Sequence, residues 1–205
     1  MFRIINFTAL IRLVAVTTTI LTLLIYAAIE RCLPQIAPSI RVFSIGPWVA
    51  LILTFVITSK MTSRAMWAVA KFFNGSLYPD LNGVWEGEVC PQKGSPTIKA
   101  AAVIRQALLN TEIDLHMPTA KSLTLEATPA MSAGQCKLYY TYQAKPKNIQ
   151  WPAYVGSTIF DVRNVDIDGK MTLELSGFYY TERGTEGRIW LRQVGVNPNK
   201  DVSFY

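Results

Sequence analysis

The sequence predicts a membrane-anchored all-β protein, with a hairpin of two transmembrane helices in residues 1–77 and an eight-stranded antiparallel β-barrel in residues 78–205. Three observations point there. Two long uncharged apolar runs, residues 13–29 and 42–59, lie before Asn74-Gly75 and have no counterpart after it. Beyond that point apolar residues alternate with a period of two, in short runs broken by Gly, Pro, Asn or Asp, which is the pattern of strands. The charge divides at the same place. Seven of the 20 Lys and Arg but one of the 14 acids lie within 1–77, so the formal net charge of +6 belongs to that part and thirteen bases face thirteen acids in the rest. A basic chain ordinarily invites a nucleic-acid reading. Here the basic excess reports membrane topology, and the balanced barrel argues against binding of long nucleic acid.

At 1.5 Å per residue the two runs each reach about 26 Å, near the lower length for crossing a bilayer, and helices are expected at about 10–29 and 42–59. Arg12 and Arg41 stand at their starts, where long side chains reach headgroups. Pro34 and Pro38 in the short connection fold the spans into a hairpin. Arg3 and Arg12 before the first span, with Lys60, Arg64 and Lys71 after the second, outnumber Arg31 and Arg41, which Glu30 offsets. The positive side is cytoplasmic, so a multi-pass protein with both termini and the barrel in the cytoplasm is expected. A signal peptide is the alternative for the first run, but no small-residue cleavage site follows it and a second span does. Thr17, Thr18, Thr19 and Thr22 either bond back to preceding carbonyls or line a helix–helix interface. Residues 61–73 read as a helical extension at the membrane surface, anchored by Trp67 and ended by Asn74-Gly75-Ser76.

Strands are expected at 83–90, 97–107, 111–117, 121–128, 135–144, 157–165, 170–180 and 187–194. Val165-Asp-Ile-Asp-Gly169 and Glu182-Arg-Gly-Thr-Glu-Gly187 mark hairpin turns. No helical period intervenes, so a meander closing into a barrel, which removes exposed edges, is favoured over a sandwich. Alternation turns Trp85, Gly87 and Val89 inward, with Ile113, Leu115 and Met117, then Leu123 and Leu125. It also selects Leu138, Tyr140 and Tyr142, then Leu173, Leu175, Gly177, Tyr179 and Thr181. These stripes become polar and aromatic at one end, so one barrel mouth is wetter and is where a ligand would enter.

His116, the one histidine, falls on the polar parity of its strand and reads as exposed or at the rim. Neither Cys90 nor Cys136 has a CxxC partner, and with Cys32 they form no disulfide framework, so reduced thiols and no metal site are expected. Phosphate loops, nucleophile elbows and nucleophile–base pairs are lacking, and Asp166 and Asp168 read as solvated turn residues. No catalytic residue, metal or cofactor is expected, and an enzyme is not. Gly83-Val84-Trp85 is similar to the G-x-W that opens lipocalin-type barrels. That likeness implies a Trp plugging the closed end, with Arg192 or Arg188 stacked on Trp85. Residues 175–192 add two Tyr, three Arg and a Thr in one hairpin, beside Tyr139, Tyr140, Tyr142 and Trp151. Such a cluster is either cross-strand packing with solvated ion pairs, or rings that stack on bases while Arg and Thr hold phosphates.

Two spans, the Tyr78-Pro-Asp-Leu-Asn-Gly-Val-Trp-Glu-Gly87 opening and the Leu-x-Gly-x-Tyr-Tyr-Thr-x-Arg…Gly-x-Ile-x-Leu closing hairpin occur together. In this combination the chain resembles the two-transmembrane β-barrel effectors of bacterial CBASS, the cyclic-oligonucleotide-based antiphage defence, a family of CD-NTase-associated membrane effectors. The resemblance implies a barrel that receives a cyclic di- or trinucleotide made by a cognate CD-NTase on infection. It further implies homo-oligomerisation on binding, disruption of the inner membrane through contact with its lipid, and death of the infected cell. On that basis Tyr142, Trp151 and Tyr179 are the candidates for stacking, and Arg105, Thr181, Arg183 and Arg188 for phosphate or base-edge contacts. Stacking contributes about 1–3 kcal/mol per base, so two rings with charge-assisted phosphate bonds could reach micromolar binding, about −8 kcal/mol. Driving assembly from about 1:99 to 99:1 needs roughly 5.5 kcal/mol of preference for the assembled state. A ligand wholly inside one barrel supplies no such preference, so it is expected near a rim, completed by a neighbour or by a rearranged loop over residues 145–155. Two other classes stay open: a membrane-anchored carrier or sensor of a hydrophobic ligand, which needs an open apolar lumen, and a structural subunit of a membrane complex.

Overall fold

The structure, a computed structural model, describes residues 7–32, 42–59, 62, 78–92, 96–107, 110–167, 169–200 and 202. The chain forms two compact units, Ile4–Gly75 and Ser76–Tyr205.

The first unit holds α1, Phe7–Cys32, and α2, Val42–Thr58. Over Leu10–Cys32, α1 is long and apolar enough to cross a membrane. Helix α2 is also apolar, but its 17 residues place it at the lower bound for a span. The threonines divide between the two expected roles. Thr19 donates to the Ala15 carbonyl at 3.0 Å, and Thr54 and Thr58 bond back in the same way. Thr22 is buried instead, its hydroxyl 3.9 Å from where a Cβ on Gly46 of α2 would stand. The small residue lets the helices approach there. The extension over 61–73 with Trp67, and its Asn74-Gly75-Ser76 stop, lie outside the described residues except Thr62.

The second unit is the barrel. Its strands are β1 (Gly83–Pro91), β2 (Ile98–Gln106), β3 (Thr111–His116), β4 (Ala120–Ser132), β5 (Gln135–Pro146), β6 (Tyr154–Ile167), β7 (Lys170–Thr181) and β8 (Glu186–Gly195). Each pairs antiparallel with the next, and β8 returns to β1, closing the wall. All eight expected strands are present, and a sandwich is not formed. β4 and β6 run longer than expected because their pairings with β5 and β7 continue toward the turns.

The inward stripes follow the alternation in β1, β3, β5 and β7, where Trp85, Val89, Ile113, Leu115, Leu138, Tyr140 and Leu175 are buried. Full burial of such side chains contributes about 1.5–3 kcal/mol each. The expectation fails in β4. Ser122 is fully buried, Leu123 half-buried and Leu125 57% exposed. A bulge explains the reversal: Thr124 opposes Tyr142 and Glu126 opposes Thr141, leaving Leu125 as an extra residue. The hydroxyls of β4 have work inside. Ladder pairing between β3 and β4 is confined to Leu115↔Ser122 and His116↔Lys121. Thr124 then continues it with its side chain, accepting from the Ile113 amide and donating to the Ile113 carbonyl, both at 2.7 Å. Ser122 Oγ pairs with the Tyr140 hydroxyl at 2.8 Å.

His116 is also corrected, from exposed or rim to buried. Its parity is outward as expected, but small Ala101 stands opposite it, and Val84, Ala101 and Val103 on the same outer face are buried too. Asp114 lies 3.0 Å from its Nε2, so the imidazole is buried with a partner.

Trp85 plugs the closed end, as its G-x-W setting implies, fully buried beside Tyr78 and Leu81. Its Nε1 donates to the Leu81 carbonyl at 2.9 Å. The Leu81 amide donates to Gln106 Oε1, the Gln106 amide to Asn82 Oδ1, and Gln193 Nε2 to the Asn82 carbonyl, each at 2.8 Å. The arginine expected on Trp85 is not there. Gln193 is the residue of β8 opposite Trp85, whereas Arg192 opposes Glu86 and points outward. Its guanidinium lies over Trp190 and bonds Glu174 at 2.9 Å.

Candidate functional site

The end opposite Trp85 carries the turns β3–β4, β5–β6 and β7–β8. There the lumen opens into a cavity of about 110 Å³. Val89, Leu115 and Ile189 form apolar wall, and Tyr140, Tyr142, Tyr154, Tyr179, Thr158 and Thr181 supply rings and hydroxyls. Among the described residues, none of the side chains lining it is charged.

Strand pairing fixes the rings. Tyr142 of β5 stands opposite Gly156 of β6, and Tyr179 of β7 opposite Gly187 of β8. A Cβ at Gly156 would stand 2.6 Å from the Tyr142 Cζ and hydroxyl, and one at Gly187 would stand 2.8 Å from Tyr179 Cε1. Each tyrosine therefore lies against bare backbone, a packing any larger residue would disrupt. Below them Tyr140 stacks on Tyr142 with centroids 5.0 Å apart, and Phe160 continues the stack at 6.4 Å from Tyr140. Burial raises the Tyr140, Tyr142, Tyr154 and Tyr179 hydroxyls above the ordinary tyrosine value. The lumen hydroxyls are thus neutral at physiological pH and can donate as well as accept.

The rim is tied by its own hydrogen bonds. Glu182 accepts from the Val155 amide at 2.9 Å, and the Glu182 amide donates to the Val155 carbonyl at 3.0 Å. Thr181 and Thr185 share a hydroxyl pair at 2.6 Å. Arg183, at the tip of the β7–β8 turn, donates to the Pro152 carbonyl and lies 4.2 Å above the Tyr154 ring. It so joins the β7–β8 turn to the β5–β6 loop. That loop presents Ile149, 99% exposed, and Trp151, 57% exposed.

Of the seven residues expected at the site, Tyr142, Tyr179 and Thr181 line the cavity, and Arg183 and Trp151 belong to the rim. Arg188 and Arg105 are not brought to the mouth. Ile189 and Leu191 face the core, so Arg188 faces out, its guanidinium 4.9 Å above Phe178. Arg105, next to last in β2, opposes Glu112 on the outside near the closed end. Tyr154, Thr158 and the two glycines were missed. A β6 start at residue 157 cuts off Tyr154 and Gly156, although Tyr-x-Gly-x-Thr already carries the inward alternation.

A wider hollow of about 870 Å³ lies on the outer face over β6, β7 and β8, between Arg163, Phe178, Arg188, Trp190 and Arg192. Its described lining holds four cations and two carboxylates, and three of the cations are already paired. Arg192 lies 2.9 Å and Arg163 3.9 Å from Glu174, and Lys137 lies 2.6 Å from Asp161. A phosphate there would meet two carboxylates. Arg183 on the rim and Arg188 in the hollow each lie over a ring and have no carboxylate within ion-pair distance among the described residues.

The family model described as Cap15, cyclic dinucleotide receptor domain, matches residues 76–193. The chain belongs to the Cap15 family. It is a CBASS membrane effector whose barrel binds a cyclic oligonucleotide, a receiving role rather than a catalytic one. No curated protein matches the sequence. The Cap15 match runs from the closed-end plug through most of β8, so every residue of the mouth falls within it. A cyclic dinucleotide brings two bases and two phosphodiesters. The mouth of this chain offers neutral rings and hydroxyls inside and a guanidinium on the rim.

Proposed function

We propose that the tyrosine-lined mouth is where the cyclic dinucleotide binds. Tyr142 and Tyr179 take a base, Thr158 and Thr181 bond its edge, Arg183 holds a phosphate and Trp151 covers the ligand from the β5–β6 loop. The observation that carries this is the meeting of an uncharged aromatic lumen with a rim guanidinium free of any carboxylate among the described residues. Stacking at about 1–3 kcal/mol per base and charge-assisted bonds at about 1.5–3 kcal/mol are the main attractive contributions. The proposal extends to the response. Ligand at the rim is shared with, or rearranged against, a second copy, and the chain homo-oligomerises. Both α1 and α2 span the inner membrane, with the barrel cytoplasmic, and their assembly disrupts the bilayer and kills the infected cell.

The test is calorimetric titration of the full-length protein in lipid nanodiscs with cyclic di-AMP, cyclic di-GMP and cyclic GMP–AMP. Arg183→Ala should weaken binding by about 10-fold or more and abolish ligand-induced assembly, with the barrel still folded by circular dichroism. Arg188→Ala should bind normally. The reverse pattern would move the site to the outer hollow and sink the proposal.

A further inference from the structure

We infer that the barrel admits one base of its cyclic dinucleotide and leaves the second base and both phosphates outside the lumen. The inference rests on the mouth being the ligand site, and deepens that reading.

Size is the first ground. The lumen holds about 110 Å³. Pockets that enclose a drug-sized ligand hold about 300–1,000 Å³. A single ring system fits the available space, and a macrocycle of two nucleotides does not. The cavity is also blocked from deepening. Tyr142 and Tyr179 are pressed on the backbone at Gly156 and Gly187. Tyr140, stacked beneath Tyr142, has its hydroxyl held by Ser122 at 2.8 Å.

Charge is the second ground. Among the described residues no charged side chain lines the lumen, and an anion there would be buried without a counter-charge from them. The phosphates belong at the rim, where Arg183 lies. What the lumen can read is a neutral planar group, by its hydroxyls at Thr158, Thr181 and the tyrosines.

A receptor that reads one base gains little from the identity of the other. A symmetric ligand then has two equivalent ways to bind and a mixed ligand only one. The affinities follow from counting. A mixed dinucleotide containing the preferred base should bind about twofold more weakly than the symmetric dinucleotide of that base, whatever its second base.

The experiment titrates the full-length protein in nanodiscs with cyclic di-AMP, cyclic di-GMP, cyclic di-UMP and the three mixed dinucleotides. The expected result is that the two mixed ligands carrying the preferred base lie within about threefold of its symmetric parent, and the third mixed ligand binds like the weaker parents. A mixed ligand tighter than both parents, or near the geometric mean of widely separated parents, overturns the inference while leaving the mouth as the site. Absence of binding by all six overturns the mouth reading and this inference together. Two variants add an independent readout. Arg183→Ala should weaken all binding ligands by a common factor, whereas Thr158→Ala should change the ratios among bases. A uniform loss for Thr158→Ala counts against one-base reading.

Discussion

Tyr142 shows how the site is made from a pair of residues rather than from one. Its ring occupies the place that a side chain on Gly156 would need. Gly156→Ala should therefore force the ring inward, at a cost of about 1–3 kcal/mol for an overpacked core, and close the cavity. A fall in thermal midpoint with loss of cyclic dinucleotide binding is the expected result. An unchanged affinity would mean that the ring position does not matter. The tyrosine hydroxyls also set a pH limit. Burial holds the Tyr140 and Tyr142 values above the ordinary 10.0, so the folded state keeps protons that the unfolded chain gives up. Stability from this source is intact below pH 10 and declines above it, by up to about 1.4 kcal/mol per pH unit for each tyrosine. Chemical denaturation between pH 9 and 11 should show the decline beginning near 10, and Tyr142→Phe should make it shallower. A flat profile would contradict the burial argument.

At the scale of the strand, one extra residue decides which way β4 faces. Leu125 has no partner in the ladder, and Thr124 and Glu126 already oppose consecutive residues of β5. Deleting Leu125 should thus keep every inward residue inward and leave a folded barrel by circular dichroism. Deleting Leu123 shifts Ala120 and Ser122 to the wrong face and should not. Equal damage from both deletions would refute the bulge assignment. The bulge also explains what sequence reasoning could and could not reach. All eight strands were legible because period-two alternation and turn residues bound them. β4 misled because its inward positions hold Ser122 and Thr124, whose reason for burial lies on β3 and β5. Tyr142, Tyr179 and Thr181 were legible as the polar ends of inward stripes. Tyr154 was lost with the early residues of β6. Arg188 and Arg192 were misplaced against a signal already present, since inward Ile189 and Leu191 send both outward.

For the molecule as a whole, the uneven charge of the sequence supports the proposed topology. Its three cysteines make that topology measurable, because Cys32 ends α1 and is exposed, whereas Cys90 and Cys136 belong to the barrel. With two spans and a cytoplasmic barrel, a membrane-impermeant maleimide added outside spheroplasts should label Cys32 alone. Labelling of Cys90 from outside, with Cys32 protected, would reverse the orientation. The barrel has a less obvious property in the narrow β3–β4 pairing. Order along the chain equals order round the wall, and one join out of eight has a ladder of two residue pairs, continued by the Met117 amide bond to the Ala120 carbonyl at the turn and by the Thr124 side chain at the other end. Such a wall is a ribbon rolled into a collar and buttoned once. If the button slips, the collar can spread from its plugged end with no strand threading past another and every other join kept.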